Sequence, residues 1–357
     1  MDAPLSHNSA ARLWLAYGTP GVPKVVGSIS RKDVGFRAPS KDVVDAVRSL
    51  EFLGEPLHFL VSSQKARHAR KRVAFHSRYG NLPPDSVLRL EGGLYVCSPK
   101  LTFLQMGTVL PTPLLALFGM QLCGIHAIDP WFEEETESES AMHSEGCLSG
   151  LPKRSQLTGC ERLASYLRDA SSLAGSKRAA AALKLVAERS RSPMESATAL
   201  LLGAPMRIGG HALPKPILNQ RIDLPRWLHD PDGAQQQLVS GNRPFAEVDL
   251  VFQRNGRAVY VDYHGEWSHS GEHRIHHDSL RSNEFAGLGM FHLSITKWQF
   301  YDSGLLTKVA GLIRSALGMD GRIRTQGYER KKAGLHRMVT SAVRTGYMDS
   351  LGPSGKR

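Results

Sequence analysis

Two apolar-rich runs, Phe245 to Phe252 and Ala258 to His264, have strand length and are joined through Asn255-Gly256. Asn-Gly between such runs predicts a β-hairpin, because both turn positions need φ > 0. A two-residue turn pairs Arg254 with Arg257, and counting back along both strands sets Asp249 opposite Asp262. The two-residue side-chain period then puts Val248/Tyr263, Leu250/Val261 and Phe252/Val259 on an apolar face that belongs in a core. Glu247/His264, Asp249/Asp262 and Val251/Tyr260 fall on the other.

Around this hairpin the pattern predicts a strand over Ile217 to Leu224, a helix over about Glu272 to Ala286, a strand over Phe291 to Thr296 and a helix from about Ser303 to Leu317. Upstream, Ser192-Pro193-Met194-Glu195 opens an Ala/Leu-rich helix with an N-cap Ser, Pro at the first position and Glu at the third, the form of a capping box. Cys160 to Arg189 reads as two helices broken near Gly175. The run Asp129 to Glu145 is acidic and Ser-rich, as an exposed linker would be. Before it, Leu57 to Ser62, Arg72 to His76 and Gly93 to Cys97 read as short strands, and Leu101 to Met106 as a helix. The expected organisation is an α+β domain over 1–125, an acidic linker over 126–155, connecting helices over 156–190, an α/β domain over 191–318 and a basic flexible tail over 319–357.

The composition, 41% hydrophobic against 22% charged in 357 residues, is that of a folded globular protein. No apolar run reaches the roughly 18 residues of a spanning helix, and no signal-like segment opens the chain, which argues for a cytoplasmic protein without a membrane partner. Cys97, Cys123, Cys147 and Cys160 include no C-x-x-C pair, so they are expected as reduced, mostly buried thiols rather than a zinc or disulfide framework. The net charge of +12 suits a polyanionic partner. Nine Lys/Arg against three acids beyond Met319 put half of it in the tail.

Directly opposed aspartates have Cβ atoms about 5 Å apart, where like charges repel. A divalent cation, Mg²⁺ or Mn²⁺, compensates naturally and supplies phosphoryl chemistry; a solvated face whose carboxylates share a proton is the competing reading. Glu247, His264 and Glu195 favour the former, although Glu195 also serves a capping box. His273 and His277 would share one helix face, and the run His269, His273, His276, His277 reads as an exposed polar face, with no third metal ligand at a suitable spacing. Arg274, Arg281 and Lys297 are candidates for phosphate contact. So are Lys65, Arg67, Arg70, Lys71 and Arg72, which form a basic loop between two strands.

The segments Val248-Asp249-Leu250-Val251-Phe252 and Val259-Tyr260-Val261-Asp262-Tyr263-His264-Gly265 resemble the metal-binding hairpin of the PD-(D/E)XK nuclease superfamily, particularly the group similar to very-short-patch repair endonucleases. Ser192-Pro193-Met194-Glu195 looks like that group's opening helix, and Trp267-Ser268-His269, Asp278-Ser279-Leu280-Arg281 and Ile295-Thr296-Lys297 look like its later elements. The resemblance implies a restriction-endonuclease-like α-β-β-β-α-β core in an α/β fold. It further implies metal-dependent hydrolysis of DNA in defence or repair, with Asp249 and Asp262 holding the metal and Glu195 helping directly or through water. His264 stands at the last motif position, where Lys is usual and the closest relatives have Asp.

Leu5-Ser6-His7-Asn8-Ser9-Ala10-Ala11, Pro56 to Val61, Val73 to His76 and Cys97 to Leu104 resemble, in order, segments of AbiEi-type antitoxin and regulator domains. Two functions follow as expectations: a Mg²⁺- or Mn²⁺-dependent DNA endonuclease with Glu195, Asp249, Asp262 and His264 as its site, or a non-catalytic DNA-binding regulator on a degenerate nuclease fold. No small-molecule cofactor is expected, and homo-oligomerisation is left open.

Overall fold

The computed structural model describes residues 1–29, 35–62, 71–77, 81–128, 153–223, 245–264, 281–321 and 325–344. The chain divides into two compact units. The first comprises Met1–Glu134, Gly150–Glu188 and Met338–Arg357, the second Glu135–Ser149 and Arg189–Arg337. Both mix helices with sheets, and among the described residues no helix is long and apolar enough to cross a membrane.

The first unit contains α1 (His7–Ala16), β1 (Val25–Ile29), α2 (Lys41–Arg48), β2 (Leu57–Val61), β3 (Val73–Ser77), β4 (Val87–Leu90), β5 (Tyr95–Cys97), α3 (Pro99–Met106), α4 (Thr112–Leu122), α5 (Cys160–Asp169) and α6 (Ser176–Leu183). Strands β2 and β3 pair in parallel, while β4 lies antiparallel between β1 and β5. A single residue, Leu5, stitches these groups together, bridging Phe59 of β2 and Val96 of β5. All five residues of β2 are buried, as expected of a strand with chain on both edges. Trp14, Phe59, Phe103 and Phe118 fill the core. Gly107 and Gly175 let the end of α3 meet the start of α6, since a Cβ on Gly107 would lie 2.5 Å from the Gly175 carbonyl oxygen. Helices α5 and α6, expected as connectors, therefore belong to this unit, and Gly175 breaks them as the pattern predicts, in a left-handed conformation at φ 90°.

The resemblance segments in this unit meet at three histidines. His7 of α1 stacks on His76 of β3 with ring centroids 3.6 Å apart, and His76 hydrogen-bonds His58 of β2 at 2.8 Å.

The second unit runs α7 (Pro193–Gly203), β6 (Ile217–Asp223), β7 (Phe245–Arg254), β8 (Arg257–His264), α8 (helical over the described residues 281–287), β9 (Phe291–Thr296), α9 (Lys297–Tyr301) and α10 (Ser303–Ala316). The sheet order is β6-β7-β8-β9, with the first two pairings antiparallel and the last parallel. The hairpin forms as predicted: Asn255 and Gly256 take φ 49° and 76°, and Arg254 pairs with Arg257. Helix α10 buries Leu306, Val309, Ala310 and Ile313 at helical spacing and packs on β8, while α7 packs on β7. Asp302 caps α10, its Oδ1 accepting from the amides of Gly304 and Leu305 at 2.7 and 2.8 Å.

Two expectations are corrected. Within the supposed flexible tail, Tyr328–Arg344 is a 17-residue helix, α11; Tyr328, Leu335, Val339 and Ala342 are buried along it. Val248 does not keep to the Leu250/Phe252 face: it clusters with Val251 and Phe285, beside Ile222, Ala246, Tyr260 and Met290. Residues three apart share a cluster of this kind where a strand's alternation is interrupted. The interruption falls at Asp249.

Candidate active site

At Asp249 one neighbouring ladder skips a rung and the other stops. The β6–β7 register runs Leu218↔Leu250 and Gln220↔Val248, omitting Asn219 opposite Asp249, and the β7–β8 register ends at Leu250↔Val261. Side chains take over from the backbone there. The Asp249 amide donates to Asp262 Oδ1 at 3.2 Å, and the Tyr263 amide donates to Asp249 Oδ2 at 2.8 Å. Each aspartate thus accepts from the opposite strand, which offsets part of the repulsion that their proximity creates.

Asp262 is almost fully buried, 5% exposed, and its charge is met by protein groups. Arg281 of α8 lies 2.9 Å from Oδ2 as an ion pair and donates through Nη2 to Oδ1 at 3.3 Å. His292 of β9 sits 2.9 Å from Oδ2, its ring stacked on Phe285. Burial alone would raise the Asp262 pKa, but the His292 hydrogen bond and the Arg281 charge hold it below the usual aspartate range.

Glu195 enters from the first turn of α7, 6% exposed. Ser192 caps this helix as predicted, accepting from the Glu195 amide at 3.2 Å. The reciprocal half of a capping box is replaced: Glu195 Oε2 accepts from the Arg191 amide at 2.8 Å and from Asn219 Nδ2 at 2.6 Å, and Oε1 accepts from the Ser192 hydroxyl at 3.0 Å. Asn219 holds φ 50°, a left-handed conformation that Asn tolerates better than most residues. Burial raises the Glu195 pKa against these three donors.

Asp249 is left between two acids. Burial, then Glu195, then Asp262 push its carboxyl up to about 7, against the Tyr263 amide and Arg281. Two neighbouring aspartates are therefore driven apart in proton affinity, one lowered below the usual range and one titrating near neutrality, a division typical of acid–base sites. Glu247, at the rim, forms a two-pronged ion pair with Arg191, one contact being 2.7 Å, and this holds its pKa low.

His264 lies two residues beyond Asp262 on β8 and contacts the Ser294 hydroxyl at 3.1 Å. Arg281, expected at phosphates, instead pairs with Asp262 and donates to the Glu247 carbonyl. Lys297 is exposed at the start of α9. In the first unit Lys71 and Arg72 are exposed, with Arg72 paired to Glu55 at 2.9 Å. Lys65, Arg67, Arg70, Arg274 and the run His269, His273, His276, His277 lie outside the described residues. Sequence reading missed Arg191, Asn219 and His292; Arg191, directly before the predicted N-cap, was the most accessible of the three.

The expected cation, Mg²⁺ or Mn²⁺, prefers oxygen donors of this type. Their spacing is the difficulty. Among the described residues Glu195, Asp249 and Asp262 do not form a group whose ligand atoms all lie within 4.8 Å of one another, and Asp262 is already neutralised. As arranged, they are a charged cluster rather than an assembled metal cage.

Comparison with protein-family models, with curated proteins and with solved structures gives no match to this chain.

Proposed function

We propose that the second unit is a nuclease-like domain that hydrolyses DNA phosphodiester bonds, with Glu195, Asp249 and Asp262 at its centre. The observation that carries this reading is their convergence from α7, β7 and β8 on one buried cluster, in which Asp249 titrates near 7 beside an ionised Asp262. A group of that proton affinity suits taking a proton from water near neutral pH. The element order α7-β6-β7-β8-α8-β9 supports it too, being the α-β-β-β-α-β order of the restriction-endonuclease-like core that the hairpin motif implies. Mg²⁺ or Mn²⁺ is the cation such a cluster would attract. Because the carboxylates lack ligand spacing as they stand, the chemistry is assigned only to the protein's own groups. The first unit, resembling AbiEi-type regulators, would hold DNA through basic residues including Lys71, and a cytoplasmic setting suits that substrate.

One observation favours a second reading. Arg281 already forms an ion pair with Asp262, and His292 hydrogen-bonds it, as expected if the nuclease fold has become a non-catalytic DNA-binding regulator. Plasmid cleavage with Mg²⁺ or Mn²⁺, set against metal-independent DNA binding, separates the two.

A further inference from the structure

Four scattered cysteines offer no ligand spacing in the sequence, yet folding brings two of them together. Cys123 caps the end of α4, Cys160 opens α5, and Glu188 follows α6. Their sulfur and carboxylate atoms all lie within 4.8 Å of one another, the one group of three or more ligand-type side chains so arranged among the described residues. Neither cysteine is in a disulfide. Cys123 is fully buried, whereas Cys160 and Glu188 are half-buried, so the group reaches solvent on one side.

The surroundings fix the donors. Glu188 Oε1 accepts from the Cys160 amide, and the absence of a side chain at Gly159 admits the carboxylate, which lies 3.0 Å from where a Cβ would stand. Gln156 donates to the Cys123 carbonyl at 2.7 Å. The Arg154 guanidinium, within electrostatic reach of Cys123, is held by the carbonyls of Trp14 at 2.6 Å and Gln121 at 2.5 Å. Its Nε is buried with no hydrogen-bond partner.

We propose that Cys123, Cys160 and Glu188 form a zinc site in the first unit, with the fourth position open to water. Tetrahedral zinc with Zn–S of about 2.3 Å and Zn–O of about 2.1 Å separates its donors by roughly 3.5 to 3.8 Å, so closing onto the ion needs shifts of about 1 Å or less. Two sulfurs with one carboxylate select zinc over Mg²⁺ or Ca²⁺, which take oxygen ligands, and over iron–sulfur clusters, which take sulfur. The charges balance. Binding releases the two thiol protons to solvent, and the three negative donors are met by the zinc dication and by Arg154. The ion ties together the ends of α4, α5 and α6, independently of the cluster in the second unit.

The test uses the full-length protein, reduced, stripped with a chelator and titrated with Co²⁺ under anaerobic conditions. One Co²⁺ per chain is expected, with sulfur-to-cobalt charge-transfer absorption and the intense visible bands of tetrahedral cobalt, both bleached by one equivalent of Zn²⁺. Cys160→Ser, at a half-exposed helix start, loses the signal with an unchanged circular dichroism spectrum. Glu188→Gln keeps the charge-transfer band with affinity lowered at least tenfold, and Cys97→Ser binds as wild type. No charge-transfer band, a band surviving in Cys160→Ser, or undiminished affinity in Glu188→Gln would overturn the proposal.

Discussion

Replacing Asp249 by Asn should stabilise the protein in a strongly pH-dependent way. In the folded state the Asp249 carboxyl is raised from 3.8 to about 7, so the native protein binds more protons than the unfolded chain between those values. Stability from this group is fully present below pH 3.8 and is lost as pH rises through about 7. That rise corresponds to about 4 kcal/mol at most. Asp249 titrates as one of a coupled set with Glu195 and Asp262, so a proton held by the set spares part of that cost; the expected gain for Asp249→Asn is therefore about 2 to 3 kcal/mol at pH 8, shrinking towards zero at pH 4.5. The amide oxygen of Asn can still accept from the Tyr263 N–H, so the local hydrogen bonding survives. Urea denaturation of both proteins between pH 4.5 and 8.5, followed by tryptophan fluorescence and circular dichroism, reads the difference directly. A variant no more stable than wild type at pH 8, or one whose gain is the same at every pH, would refute the crowded-carboxylate reasoning.

Two further outcomes follow from buried charges. Arg281→Met leaves Asp262 with the His292 ring as its remaining side-chain partner; it should cost roughly 2 to 3 kcal/mol, somewhat below the loss of a fully buried partner, and chemical denaturation at pH 7 measures it. In the first unit, burial and then the Arg12 charge lower His58 from 6.5 to about 4. The unfolded chain then binds the extra proton as pH falls through that window, and stability should decline by up to about 3 kcal/mol between pH 6.5 and 4. His58→Gln should flatten that part of the pH–stability curve.

The hairpin was legible because Asn255-Gly256 fixes both turn and register, and that register alone places Asp249 against Asp262. A short apolar run marked β2, and periodicity marked β9 and α10, whose apolar spacing follows one period without interruption. What escaped depends on contacts that local pattern does not encode. The missing β6–β7 rung at Asp249 involves Asn219 on another strand, and His292 reaches Asp262 through a parallel pairing of β8 with β9 whose register no turn specifies. The sequence shows the repulsion of the aspartate pair but not its compensation by Arg281 and His292, since those partners arrive from α8 and β9. Helix α11 was hidden by its charge and by Gly327 and Gly334, which resemble a solvated tail. Cys123 and Cys160 meet only because α4 and α5 end and begin at one place.

The most direct test of the nuclease reading is incubation of supercoiled plasmid with the purified protein and Mg²⁺ or Mn²⁺, beside Asp249→Asn and Asp262→Asn. Nicked and linear product is expected from the wild type, with the rate falling about 100-fold or more in each variant. Plasmid left intact by a wild-type protein that still binds DNA without metal would contradict it.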